Sequence, residues 1–378
     1  MGEIIMNTNE LLKPFHINDL TIPTRVVMAP MTRNFSKNNV PGPDVAAYYK
    51  RRAENHVGLI ITEGTVVEPR TGHGYPNVPD FAGDEALKGW KTVVDGVHGA
   101  GGKIFPQLWH AGSVRRKGTP PDPSVPGYGP SAVIHPFYTD NAETPEEMSV
   151  EHIKQVVDAF GEAARQAEAI GFDGIELHGA HGYLIDQFFW DATNKRSDAY
   201  GGPSLNDRMR FAVEIVNAVR ANVKSSFPVC FRFSQWKMGD FKTKLAKEPA
   251  ELEQFLGTLV EAGVDMFHCS TRRFYEPEFS GSDLNLAGWA RKLTGKPVIT
   301  VGSIGLDQDF VSDIMGAGSS KLSENSIEQL TERLLKDEFD LVAVGRALLA
   351  DHEWVTKVKE GRLDEISIFT KDALTTLY

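Results

Sequence analysis

Residues Gly174–Phe189 read GIELHGAHGYLIDQFF. The short apolar run Gly174–Leu177 reads as a buried strand, and it gives way abruptly to His178, His181 and Tyr183. Imidazoles donate hydrogen bonds near neutral pH, and a phenol can give up a proton. A strand ending in this trio presents groups that can grip a carbonyl oxygen and protonate a neighbouring atom. One such strand is only suggestive. Its meaning comes from what ends the others.

Seven further runs share its character: Arg25–Ala29, Gly58–Thr62, Lys103–Leu108, Val229–Phe233, Met266–Cys269, Val298–Val301 and Leu341–Val344. Between them lie stretches with apolar residues three and four apart. The clearest predict helices over Asp84–Ala100, Ser149–Ile170, Asn206–Ser225, Pro249–Ala262 and Ile327–Lys336. Strands alternating with helices indicate a parallel sheet, and eight strands with eight connections indicate a closed (β/α)8 TIM barrel. A doubly wound sheet would normally carry a glycine-rich fingerprint after its first strand, where this chain has Ala29-Pro30-Met31-Thr32. The stretch from Trp109 to Met148 is rich in Pro and Gly, and its length predicts a capping loop after strand three. The chain reads as one domain over 1–378, with 1–12 expected to be flexible.

A net charge of -11 with dispersed acids argues against a nucleic-acid surface. No apolar run approaches the roughly 20 residues of a membrane span, and the acidic N-terminus lacks the pattern of a secretory signal. Cys230 and Cys269 sit in apolar runs and read as reduced core residues, which suits the cytoplasm. With no CxxC, a cysteine-ligated zinc or iron–sulfur site is not expected. His56, His73, His98 and His152 lie in helix or loop contexts and read as solvated.

Active sites of such barrels form at the C-terminal strand ends. Strand one ends in Pro30, Met31 and Thr32, strand two in Glu63, Gly64 and Thr65, and strand three in Gln107, Trp109 and His110. Strand five carries Arg232, a charge that is costly inside an apolar run unless an anion or cofactor meets it. Gly302-Ser303 follows strand seven and Gly345-Arg346 follows strand eight. Either glycine alone could be a turn. Together, with a guanidinium, they point to phosphate binding.

At this point the chain resembles the Old Yellow Enzyme group of FMN-dependent ene-reductases, from about Phe15 to His352. The motifs are MAPMTRN at Met28–Asn34, GLIITEGT at Gly58–Thr65, GGKIFPQLWHAG at Gly101–Gly112 and HGAHGYLIDQFFWDATNKRSDAYGG at His178–Gly202, followed by VGSIG at Val301–Gly305 and VGRALLADHEW at Val344–Trp354. The resemblance implies non-covalent FMN, reduced by NADPH or NADH. Thr32 would bond the flavin O4, Gln107 the pyrimidine edge, and Arg232 would sit near N1 and O2, where reduced flavin gathers negative charge. Ala29, Pro30, Met31 and Gly64 would line the ring system, and Gly302, Ser303, Gly345 and Arg346 would hold the phosphate. Tyr75 and Trp109 would shape the substrate side. His178 and His181 would bind the oxygen of an activated enone or nitro alkene. A hydride would reach its β-carbon while Tyr183 protonates the α-carbon.

Two alternatives stand beside this reading: a flavin-binding sensor or scavenger, and a metal-dependent barrel lyase or aldolase using the histidine pair. The expected partner is a small molecule, with no nucleic acid or membrane, and the protein a monomer or homodimer. The family pattern is departed from at the rim. Ala111-Gly112-Ser113 precedes Arg115, where many members have an earlier arginine, and the tail FTKDALTTLY lacks a tyrosine-rich closing segment.

Overall fold

A computed structural model describes residues 8–138, 142–309 and 319–378. Eight strands run parallel in sequence order and close on themselves, β8 pairing with β1. They are β1 Val26–Met28, β2 Leu59–Val66, β3 Lys103–Trp109, β4 Ile175–His181, β5 Val229–Lys237, β6 Met266–Ser270, β7 Val298–Val301 and β8 Leu341–Val344. The helices α1 Pro43–Glu54, α2 Asp84–Gly99, α3 Val150–Ile170, α4 Arg210–Asn222, α5 Pro249–Ala262, α6 Leu286–Thr294, α7 Glu324–Leu335 and α8 Trp354–Glu360 follow the strands in turn. The expected TIM barrel is the fold.

Local chemistry fixes the helix ends. Ser149 caps α3 by accepting from the His152 N–H at 3.1 Å, and Gly171 ends it in the left-handed region at φ 100°. Such an N-cap is worth about 1 kcal/mol. The predicted helix over Asn206–Ser225 is instead a 3-10 turn at Asn206–Met209 leading into α4, which stops at Asn222. The one predicted over Ile327–Lys336 starts earlier, at Glu324, because Ser323 caps it. Helices α1, α6 and α8 are not among the clearest periodicities.

The barrel interior has two layers. In the lower one, Val27, Leu59, Ile61, Phe105, Cys230, Met266, Ile299 and Leu341 pack together. A hairpin of Phe15–Ile17 and Leu20–Ile22 sets Ile17 and Ile22 against this layer and closes the N-terminal end. Above it the lining turns polar. That change explains why three strands outrun the apolar runs that mark them in sequence. β2 continues to Val66, β4 to His181 and β5 to Lys237. Backbone pairing goes on while the side chains facing the site become polar.

Part of the N-terminal stretch expected to be flexible, Thr8–Leu12, forms a 3-10 turn with Leu11 buried in the core. Residues 1–7 lie outside the described residues. Among those described, no helix is long and apolar enough to cross a membrane.

Candidate active site

His178, His181 and Tyr183 come together at the end of β4. The two imidazole rings are 5.3 Å apart and perpendicular, and the phenol ring lies 5.0 Å from His178. His178 Nδ1 accepts from the Ala180 N–H at 3.3 Å, which leaves Nε2 to carry the proton. His181 stacks on Trp236 at 4.4 Å and shares a 2.7 Å hydrogen bond between Nε2 and Ser270 Oγ, leaving Nδ1 for a ligand. Burial, reinforced by the Arg232 charge, pushes both histidines well below their ordinary value. Both are neutral at neutral pH and can donate without carrying charge. Burial and the neighbouring Tyr75 raise Tyr183 well above 10, so its proton stays in place. The Tyr75 and Tyr183 hydroxyls are 3.0 Å apart.

Beneath this rim lies a group of four buried polar side chains. Glu176 accepts from Gln107 Nε2 at 2.8 Å and bonds His268 Nδ1 at 2.7 Å. Burial pushes Glu176 up, but His268, Arg232 and Gln107 together hold it below the usual carboxylate range. Arg232 donates to Ser270 Oγ at 3.4 Å, and its Nε is buried without a hydrogen-bond partner among the described residues. The anion that the sequence demanded for Arg232 is thus partly internal. Glu176 and His268 were missed. The usable signal was a charged or titratable residue in the middle of an apolar strand run.

The candidate cofactor residues occupy the ends of neighbouring strands. The Ala29 N–H donates to the Val344 carbonyl at 3.0 Å, tying β1 to β8, and a Cβ added to Gly345 would sit 3.5 Å from Met31 Sδ. Pro30 and Met31 are half-buried and Thr32 is exposed. The next N–H, of Arg33, donates to Glu63 at 2.9 Å, and burial raises that carboxyl to about 7. Arg33 Nη2 donates to the Ala373 carbonyl at 3.0 Å and Arg52 Nη2 to that of Tyr378 at 2.7 Å, so the C-terminal tail lies against β1 and α1. Gly302 and Ser303 both have positive φ, at 138° and 52°. The Ser303 hydroxyl turns toward the loop after β6, donating to the Arg272 carbonyl at 2.9 Å. Arg346 bonds the Gln308 carbonyl at 2.9 Å, and burial lowers it to about 10.

On the open side, Trp109 ends β3. It stacks on Tyr75 at 6.0 Å and meets the edge of Tyr183 at 5.1 Å. Gly64 makes room for it, since a Cβ there would lie 3.2 Å from the indole. In the stretch after β3, Arg115 is buried and donates to the carbonyls of His73, Thr119 and Asp122 at 3.1, 2.9 and 2.6 Å. An arginine that the sequence flagged only as displaced therefore organises the capping loop. His73, expected to be solvated, is fully buried and bonds Asp80 at 2.7 Å.

The model of the NADH:flavin oxidoreductase / NADH oxidase family matches residues 10–365. 12-Oxophytodienoate reductase 1 of Oryza sativa subsp. japonica is 33% identical over 368 residues, covering 96% of this chain and 90% of that protein. NADH oxidase of Thermoanaerobacter brockii is 35% identical over 359 residues, 93% of this chain and 50% of that protein. The structure of morphinone reductase in complex with tetrahydroNAD superposes with a TM-score of 0.76 at 29% identity, covering 93% of this chain and 90% of that one. The chain belongs to the NADH:flavin oxidoreductase / NADH oxidase family, the Old Yellow Enzyme group, and is an FMN-dependent oxidoreductase acting on activated C=C bonds.

Proposed function

We propose that this enzyme reduces α,β-unsaturated carbonyl or nitro compounds with NADPH or NADH, using His178 and His181 as oxygen ligands and Tyr183 as proton donor. The observation that carries the reading is the perpendicular pair of neutral imidazoles with a protonated phenol 5.0 Å from the first ring. Bound FMN supplies hydride transfer from the nicotinamide to carbon. The residues present fit that group. Arg232 Nε is a buried donor with no partner among the described residues, and Glu176 engages the Gln107 amide nitrogen, which leaves the amide oxygen to serve as an acceptor. Thr32, exposed at the end of β1, would reach the flavin O4, with Ala29, Pro30, Met31 and Gly64 along the ring. Gly302, Ser303, Gly345 and Arg346 would hold the phosphate, Ser303 through its backbone because its hydroxyl is committed elsewhere.

In this reading His178 Nε2–H and His181 Nδ1–H donate to the substrate oxygen and draw electron density from the double bond. Tyr183 gives its proton to the α-carbon, and Tyr75 holds the phenol hydroxyl from the other side. Trp109 and Tyr75 bound the substrate pocket. Relatives named for reducing 12-oxophytodienoate and morphinone support a small-molecule substrate. Buried, unpaired Cys230 and Cys269 support a reducing compartment, the cytoplasm. The purified protein should be yellow, bleach when NADPH or NADH is added anaerobically, and recover its colour when 2-cyclohexenone follows. A yellow protein that bleaches but is never reoxidised by enones or nitroalkenes would overturn the proposal.

A further inference from the structure

The turn that carries the proton donor is a single glycine whose two flanking peptides are both held by buried side chains. His181 and Gly182 both have positive φ, at 64° and 81°, and Tyr183 follows at once. The Gly182 N–H donates to Asp186 Oδ2 at 2.7 Å. Its carbonyl accepts from Gln187 Nε2 at 2.7 Å and from His135 Nε2 at 2.8 Å. The second oxygen of Asp186 is paired with Lys237 Nζ at the end of β5. All four side chains are essentially inaccessible to solvent.

This arrangement is expensive for a mere turn. A buried ion pair is weak support for stability, because desolvating both charges offsets most of their attraction. A glycine with φ near 80° needs no such help to adopt its conformation. What the clamp fixes is the pair of peptide planes that flank Gly182: Asp186 holds the one shared with His181, while Gln187 and His135 hold the one that leads into Tyr183. His135 adds a second point, because it belongs to the capping loop after β3, whereas Asp186 and Gln187 belong to the short helix Leu184–Phe189. The seat of that loop and the direction of the Tyr183 side chain share one carbonyl.

We propose that Asp186, paired with Lys237, and His135 of the capping loop are positioning residues that set the two peptides flanking Gly182 and thereby aim the Tyr183 hydroxyl at the substrate carbon. The inference rests on the reading of Tyr183 as proton donor. A misplacement of about 1 Å in a proton-transfer geometry can cost on the order of 100-fold in rate.

The test is a double-mutant cycle on the holoenzyme, following flavin reoxidation by 2-cyclohexenone in stopped flow. His135→Leu, and separately the pair Asp186→Asn with Lys237→Met, should each slow reoxidation on the order of 10- to 100-fold when Tyr183 is present. In the Tyr183→Phe background the same changes should cost less than about 2-fold, since no donor is left to misaim. His135→Gln, which restores a side-chain N–H, should recover most of the rate. Equal losses in both backgrounds, or no loss in either, overturn the positioning role. Should the Asp186–Lys237 pair variant fail to fold, His135→Leu alone decides. If Tyr183→Phe by itself reoxidises at the wild-type rate, the proton-donor reading has failed, and that outcome is separable from the others.

Discussion

In the lower half of the barrel, Ile61, Phe105, Met266 and Ile299 fill the interior with apolar side chains. One layer higher, β3 to β6 present Gln107, Glu176, Arg232 and His268, joined by hydrogen bonds and charge. The lower layer holds the tube closed by packing that any set of well-fitting apolar residues could supply. The upper layer leaves a guanidinium nitrogen unmet among the described residues, and so anticipates a ligand. One sheet thus separates stability from chemistry along its own axis. Substitutions in the two layers should fail in different ways.

The largest effect should come from the chemical layer. Tyr183→Phe keeps the ring against Trp109 but removes the proton, and should slow enone reduction about 10²–10⁴-fold while flavin reduction by NADPH changes only a few-fold. The raised pKa of Tyr183 keeps the phenol protonated, so the wild-type rate should persist through mildly alkaline pH. Stopped-flow measurement of both half-reactions checks this, and equal losses in the two would make the tyrosine structural. In the lower layer, Ile61→Ala should instead destabilise by about 2–5 kcal/mol in chemical denaturation, with enone kinetics preserved. A fall in turnover without a fall in stability would erase the contrast between the layers.

Smaller effects sharpen the division within the upper layer. Arg346→Ala should weaken FMN retention by about 1.5–3 kcal/mol, which reconstitution of the apoprotein would register as roughly a 10- to 150-fold rise in Kd. Recovery of FAD, or unchanged affinity, would count against the phosphate site. Glu176→Gln removes the anion beside Arg232 and should move the flavin midpoint potential upward by on the order of 30 mV, equivalent to about 1.4 kcal/mol for a two-electron couple. A spectroelectrochemical titration would detect it, and a downward shift would contradict the charge balance.

What could be read in the sequence follows the same two layers. Apolar runs mark the lower interior, so all eight strands were legible, as were α3 and α5, whose capping and periodicity are local. Strand ends were not, because β2, β4 and β5 keep pairing after their side chains turn polar. His178, His181 and Tyr183 were legible because they are adjacent in the chain. Glu176, His268 and the Asp186–Lys237 pair were not, since their partners lie 92 and 51 residues apart. Distance in sequence hid them, not ambiguity in their chemistry.

In the proposed function, the neutral imidazoles of His178 and His181 hold the substrate oxygen. Titration of the oxidised enzyme with a phenol tests it most directly. The wild type should show a broad long-wavelength charge-transfer band, which disappears when both histidines are replaced by alanine in a protein that still binds FMN. A band of equal position and affinity in the double variant would show that another group holds the oxygen.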